Sequence, residues 1–582
     1  MSPDAAAGYF APKEVASRRQ VRRYAVPRWM IEESAGRRAT GDWQGACSTA
    51  RFDVTFDLAE VLAQYGPDVA GSLGSDLRHL VPDLVRWHLP RVLGGRSTLA
   101  TDRTVVLAGY GDAADGPGPT APYLYLRTPP MVDGPQRISL RFGPMGRNAA
   151  PGVFRMGIED WRTSRHLWDA RRTDELRTRV GGADRLPFFH ADGTPRGADE
   201  LPVADPGSGD PMARAEWVTL LHQSGQVPES LAAAGIEWDP TPPQTPAWYR
   251  ATPEGIMSGP ALDVPRLEAE VRRFADRSPS ERFQIGEDWR ANLLLEFTGR
   301  GRLRISLVGR GAAEGAAFLP ESLWRRLPDL DLLRAGGVSP GELHPLVAGA
   351  LFPGLDSPAG PPGPTPPEPV RVRCRGEWHD VVFRDGTLGS PHSPQERQRE
   401  NALRAFGGAV TGCFAVEHAC TSGTGRLPKA LRAQLRDLFL RAQHGDTPGV
   451  LELLDAGVDP RVRDGGQRSL LHVLHLLDHE PMLPRLLAAG LDLEALDHRD
   501  RTPLCTAVGN GGSPELVKAL VEAGARIDVV DQMELSLDQL IRKYRRTDLV
   551  FLRERVEKEH PGIGADWWDE WEDDEEEEDE EG

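Results

Sequence analysis

Two short stretches gather the side chains that could do chemistry. "CFAVEHAC" sets Cys413, His418 and Cys420 within eight residues, and thiol and imidazole are the ligand types that hold zinc. The spacing is not the Cys-x-x-Cys of a structural zinc site, and no second pair stands nearby. Buried thiols beside a turn are therefore the expectation. "LHVLHLLDHE" carries His472, His475 and His479. The last two stand four residues apart, on one face of the helix expected here, and could take a metal with Asp478 or Glu480. On such a helix these residues more often face a groove or solvent, so no metal and no cofactor are expected.

Catalytic signatures are missing from the sequence. It holds no Gly-x-Ser-x-Gly, no P-loop, no dinucleotide glycine fingerprint and no His-Glu-x-x-His. "TSGTGRLPK" (421–429) has glycines and a lysine without Walker spacing, and reads as a flexible joint. Two polar clusters, "EDWRTSRH" (159–166) and "RGEWHDVVF" (375–383), are the stretches that would line a site if the N-terminal part were catalytic. Singly, each reads as a surface helix or strand. No catalytic residue is assigned.

The elements that must position these groups come from a chain of 582 residues, long enough for three or four domains of about 150 residues. Its net charge of −18 is localised: thirteen acids lie in "DWWDEWEDDEEEEDEEG" (566–582), leaving about −5 for the rest. A nearly neutral body lacks the basic footprint of phosphate binding, so no nucleic acid is expected. Five cysteines make no disulfide framework, and no window approaches 18 apolar residues, so a cytoplasmic protein without a membrane span is expected. The N-terminus lacks the pattern of a signal peptide. High Gly, Pro, Ala and Arg with few lysines suggests a bacterial genome rich in GC.

Two proline-rich stretches, 239–246 and 353–369, divide the chain. Before the first, an α+β region (1–238) is expected. Phe52, Val54 and Phe56 alternate as in a strand, "DLAEVLAQYG" is helical, and "SDLRHLVPDLVRWHL" is amphipathic through Pro82. "RTVVLAG", "YLYLRT" and "RISLRF" read as strands. An α+β subdomain (247–352) follows, with a hairpin over 291–311. A small α+β segment (370–430) has strands "VRVRC" and "DVVFRDG" and a capping box at Ser393, Pro394 and Glu396. Trp29, Trp87, Trp168, Trp217, Trp289 and Trp324 are expected as core anchors.

Self-comparison is the most informative test of the C-terminal part. Leu471, Leu504 and Leu537 recur at intervals of 33; Gly457, Gly490 and Gly524 recur at 33 and 34, as do Asp464, Asp497 and Asp531. The extra residue falls in "GNGGS". Apolar Val450, Leu453 and Leu454, then Leu486 and Leu487, then Leu516, Val517, Leu520 and Val521 trace one helix face that needs a neighbour. The glycines supply left-handed helix stops, and the aspartates open turn-like tips.

The segment "AQHGDTPGVLELLDAGVDP" (442–460) and the Thr502-Pro503-Leu504 turn resemble the ankyrin repeat family, although Cys505 stands where that family usually has histidine. "RSLLHVL" keeps His472 but has Ser469-Leu470 for Thr-Pro, and "LSLDQLI" is weaker, as a terminal capping repeat would be. The resemblance implies an all-α ankyrin-repeat solenoid over 431–560, of about four units (436–464, 465–497, 498–531 and 532–556), following the α+β N-terminal region. It implies that Thr502 and His472 hold turns and link repeats. It also implies a scaffold or adaptor that binds a protein partner, through tip residues such as Arg463, Gln467, His498, Arg499, Gln532 and Met533. The alternative is an enzyme or effector body in the first 400 residues, targeted by the repeats. Those residues resemble regions found beside such repeats in actinobacterial proteins, a resemblance that implies no activity. The acidic tail (561–582, with Trp567, Trp568 and Trp571) reads as disordered. It is either a solubilising segment or a docking peptide for a basic groove, in cis or on a partner.

Overall fold

The computed structural model describes residues 12–111, 120–145, 157–242, 252–278, 280–286, 292–309, 313, 315–355, 358–408 and 410–564. Residues 565–582 of the acidic tail and Trp289 lie outside them. Residues 1–132 and 137–362 form one compact unit; 133–136 and 363–582 form a second. The division falls within the proline-rich stretch 353–369.

In the first unit, the alternating run gives strand β1 (Phe52–Val54), with Phe52 buried. The helical run after it continues as one helix, Leu58–His79, kinked at Gly66, whose φ of 83° a residue with a side chain rarely adopts. Pro82 does not lie inside a continuous helix as expected. The chain breaks at Leu80 and Val81, and Pro82 opens a new helix, Pro82–His88, at the position where its missing N–H costs nothing. The three strands read from sequence form as β2 (Thr104–Gly109), β3 (Pro122–Arg127) and β4 (Ile138–Pro144), joined by β5 (Ile158–Asp160). Their order is β1-β4-β3-β2-β5. The central meander β2–β3–β4 is antiparallel, and the outer strands β1 and β5 run parallel to their neighbours.

A second sheet repeats that plan. Strands β6 (Glu237–Asp239), β7 (Arg282–Ile285), β8 (Asn292–Phe297), β9 (Leu303–Val308) and β10 (Ala317–Phe318) take the order β6-β9-β8-β7-β10. Again the meander is antiparallel and the two outer strands are parallel. In each half two helices connect the first strand to the second: Leu58–His79 and Pro82–His88, then Pro253–Ser258 and Val264–Ala275. The unit is thus a duplicated fold. Topologically equivalent strands β4 and β9 share the tetrapeptide Arg-Ile-Ser-Leu, at 137–140 and 304–307. Its Ile and Leu are buried in both.

This duplication corrects the expected division at 239–246. Strand β6, which ends on the first residue of that stretch, pairs with β9. Val218, Val227 and Leu231 from the preceding helices share a core with Met257, Leu267 and Leu323. The second half therefore begins before the prolines, whose later members (243–246) lie outside the described residues. Nor does the segment 247–352 stand alone, because Val347, Leu351 and Phe352 pack into the first half's core with Trp87, Trp168 and Phe189. Prolines flanking an edge strand leave its pairing intact, which is why composition misplaced the boundary. Trp87 and Trp168 are fully buried, as expected of anchors.

The second unit opens with the antiparallel sheet β11 (Val370–Cys374), β12 (Glu377–Arg384) and β13 (Thr387–Gly389). Helix Pro394–Ala405 starts with the expected capping box: Glu396 N–H donates to Ser393 Oγ at 3.3 Å, and Ser393 N–H to Glu396 at 2.9 Å. Helices Gly412–Ser422, Lys429–His444 and Thr447–Asp455 follow. Helix pairs then alternate with tight tips as far as Val550–Glu559. One continuous core runs from Val370 to Val556, so the small sheet and helix Gly412–Ser422 pack directly onto the repeat array. The stretch read as a flexible joint begins as the end of that helix, stopped by Gly423 in the left-handed region (φ 72°).

The second repeat departs from expectation. His475 and His479 do not share a helix: residues 474–476 form a single 3₁₀ turn, and His479 opens the next helix, His479–Ala488. The cause is spacing. From Ser469 to Asp478 the chain has two residues fewer than between the matching caps Thr502 and Ser513. A 3₁₀ spiral covers about 2.0 Å per residue against 1.5 Å, and so spans the shortened connection. The shared helix face that would have let these two histidines take a metal is thereby absent.

Candidate functional site

The repeat tips are built by one device used three times. Asp464 Oδ1 accepts the N–H groups of Gly466 and Arg468, both at 2.9 Å. Asp497 Oδ1 accepts those of Arg499 and Arg501, at 2.8 and 3.1 Å. Asp531 Oδ1 accepts those of Met533 and Leu535, at 2.9 and 3.1 Å. Three residues after each aspartate the backbone turns left-handed, at Gln467, Asp500 and Glu534. A side-chain acceptor that satisfies two turn donors fixes the tip before any partner arrives.

Neighbouring tips are also tied together. His498 N–H donates to the Gly466 carbonyl at 3.1 Å and Gln532 N–H to the Arg499 carbonyl at 3.2 Å. One level inward, the Ser469 N–H donates to His472 Nδ1 at 3.2 Å, which places the ring proton on Nε2. That nitrogen donates to the Arg501 carbonyl of the next repeat at 3.1 Å. Thr502 Oγ1 caps helix Pro503–Gly509 by accepting the Cys505 N–H at 3.2 Å. The structural roles implied for His472 and Thr502 are the ones they have.

The six expected tip residues separate into two groups. His498, Arg499, Gln532 and Met533 are exposed, although His498 Nδ1 lies 2.9 Å from the Gly466 carbonyl of the preceding tip. Arg463 and Gln467 are half-buried, and Arg463 is committed: its Nη1 donates to the carbonyls of Gln467 and Leu496. Sequence reasoning missed Leu496 and Val530, each just before a tip aspartate and each exposed, at 47% and 38%. With Met533 they lay apolar area along the tips, and their position one residue before the repeating aspartate is the signal that could have found them.

The trio Cys413, His418 and Cys420 is not brought together. His418 Nδ1 faces the Arg404 guanidinium at 2.9 Å, and Cys420 is buried with its carbonyl accepting the Arg463 N–H. Cys413 instead meets Cys374, His379 and His392, with one ligand atom from each lying within 4.8 Å of all the others. Cys374 ends β11, His379 lies on β12, His392 precedes the capping box and Cys413 opens helix Gly412–Ser422. His379 comes from the polar cluster 375–383. Burial, with Cys374 alongside, pushes the Cys413 thiol up to about 12.

In the first unit a cavity of about 170 Å³ lies where the two halves meet. The cluster 159–166 supplies Glu159, Trp161 and His166 to its lining. Among the described residues, His88 Nε2, Arg91 Nε and Nη1, Trp161 Nε1 and Arg22 Nε belong to residues that line it and are buried without a hydrogen-bond partner. Burial holds His88 well below its usual range, and Arg22, His166 and His344 push the same way. Burial pushes the Asp263 carboxyl, also in the lining, up to about 7.

Comparison with known proteins bears on the second unit. The family model for ankyrin repeats matches three copies at residues 438–531. A zebrafish (Danio rerio) protein named "Putative palmitoyltransferase ZDHHC13" is 29% identical over 91 residues, which cover 16% of this chain and 14% of that protein. The chain thus spans only a small part of that relative's length. No helix among the described residues is long and apolar enough to cross a membrane. With the 33-residue spacing, the aspartate-fixed tips and the matched family model in agreement, the chain is an ankyrin-repeat-containing protein, its repeats lying C-terminal to a region of mixed helix and sheet.

Proposed function

We propose that this chain is an adaptor that receives a protein partner along its repeat tips, and the exposed row Leu496, Val530 and Met533 carries that reading. Ankyrin repeats are generally protein–protein interaction modules. Here the tips are rigidified by their own aspartates, so little conformational entropy is lost when a partner docks. His498, Arg499 and Gln532 flank the apolar row with polar groups, the composition of an interface rim. Five unpaired cysteine thiols fit a reducing compartment, the cytoplasm. The transferase named for the zebrafish relative is not carried over to this chain. The test is to compare partner recovery by the full chain and by a variant with alanine at Leu496, Arg499, Gln532 and Met533; equal recovery at equal stability would remove the reading.

A second reading concerns the first unit and rests on the buried, unpartnered donors of its cavity. Buried donors without partners are costly unless a ligand satisfies them, and guanidinium and indole N–H groups suit an anionic group such as a carboxylate or phosphate. This unit would then be the ligand-binding or catalytic body, with the repeats as its targeting arm. Thermal shift of the full chain against a panel of small carboxylates and phosphates tests it. Stabilisation that disappears in Arg91→Met supports the reading, and no shift with any member of the panel removes it.

A further inference from the structure

We infer that Cys374, His379, His392 and Cys413 form a structural zinc site that fastens the small sheet and its helices onto the front of the repeat array. Cys374 Sγ lies 3.5 Å from His392 Nε2, Cys413 Sγ 3.5 Å from His379 Nδ1, and the two imidazole nitrogens 3.2 Å apart. Zinc holds sulfur at about 2.3 Å and nitrogen at about 2.0–2.1 Å, so ligands at tetrahedral angles stand about 3.3–3.8 Å from one another. These three separations lie in or next to that range, and all four ligand atoms lie within 4.8 Å of one another, close enough to converge on one small cation. Two thiols and two imidazoles are a donor set that suits tetrahedral zinc and not magnesium or calcium.

The surroundings support the same assignment. On the far side of each ring stands a carboxylate, Glu377 Oε2 at 3.8 Å from His379 Nε2 and Glu396 Oε1 at 3.8 Å from His392 Nδ1. Metal-bound histidines commonly present their second nitrogen to such groups. The His392 ring also packs on Phe414, at 4.5 Å between centroids, which fixes its direction. Gly412 adopts a φ of 64°, and a side-chain carbon there would fall on Cys374 Sγ. Only glycine lets Cys413 come alongside Cys374.

The protein also has a use for the metal. Helix Pro394–Ala405 buries none of its residues, and Leu403 and Phe406 at its end are 56% and 91% exposed. Packing does not hold this excursion. The two ligands that flank it, His392 and Cys413, would close it at both ends. The module of three short strands has little core of its own, the circumstance in which small folds use a metal. With all four positions taken by protein there is no open site for a substrate, which makes the ion structural.

The experiment measures metal in the full chain, purified under reducing conditions without added metal. Elemental analysis should find about one zinc per chain. X-ray absorption should show two sulfur and two nitrogen neighbours, and replacement by Co(II) should give the visible bands of a tetrahedral thiolate site. Cys374→Ser with Cys413→Ser should lower zinc to below about a tenth of that content. His379→Cys, which keeps four ligands, should retain the metal with a stronger thiolate-to-cobalt band. The wild-type measurements stand even if the double variant does not fold. Any one of three results would overturn the site: wild-type protein without zinc and without cobalt bands, a Cys374–Cys413 disulfide persisting under reduction, or a folded double variant with its zinc unchanged.

Discussion

Arg463 Nη1 donates to the carbonyl oxygen of Leu496, 33 residues downstream, at 2.8 Å, and to that of Gln467 at 3.0 Å. A tip residue expected to meet a partner is therefore a strut between two successive tips. Arg463→Ala removes both bonds and should destabilise the repeats by about 1–3 kcal/mol, read as a lower urea midpoint. Met533→Ala, at an exposed position, should stay within about 0.5 kcal/mol of the wild type. An Arg463 variant as stable as the Met533 variant would show that the strut contributes nothing.

The aspartate device predicts graded losses at Asp497. This side chain is buried, accepts two N–H groups and pairs with Arg501 at 2.8 Å. Asp497→Ala leaves both donors and the guanidinium without their acceptor and should cost about 2–4 kcal/mol. Asp497→Asn keeps one amide oxygen as an acceptor and loses the ion pair, so its denaturation midpoint should fall between those of wild type and alanine. Equal midpoints for Asn and Ala would mean that charge, and not turn geometry, holds the tip.

Acid should weaken the array well above the carboxylate range. Burial holds the His472 imidazole at about 4, below its usual 6.5. Between those values the unfolded chain takes up a proton that the folded chain refuses, so stability rises with pH in that window. The contribution is fully present above about pH 6.5 and is lost as pH falls toward 4. Melting temperature measured from pH 7.5 to 4.5 should fall with decreasing pH, and His472→Gln should flatten the dependence while lowering the plateau. A wild-type melting temperature constant to pH 4.5 would contradict the assignment.

What could be read in the sequence was what is written locally. The 33-residue spacing was legible because Asp464, Asp497 and Asp531 each bond residues two and four positions on. The helix stops were legible because Gly457, Gly490 and Gly524 take positive φ. The cysteine–histidine cluster was not. Its ligands stand five, thirteen and twenty-one residues apart, and the β11–β12 register, which sets Cys374 opposite Glu377, brings the first two together. The duplication of the first unit was hidden because its copies differ in loop length, and shared words such as Arg137–Leu140 and Arg304–Leu307 are only four residues long. The 3₁₀ turn of the second repeat follows from a connection two residues short, visible only once the caps at Ser469 and Asp478 are placed.

The repeat tips are the proposed binding surface, and one comparison tests them directly. Partners of the full chain would be quantified by mass spectrometry for the wild type, for the variant with alanine at Leu496, Arg499, Gln532 and Met533, and for a control with alanine at Glu554 and Glu557 on the last helix. All three should melt at the same temperature. The expected result is a partner whose recovery falls about tenfold, or 1.4 kcal/mol, with the tip variant and is unchanged with the control. Equal recovery of every partner by the tip variant and the wild type would contradict the account.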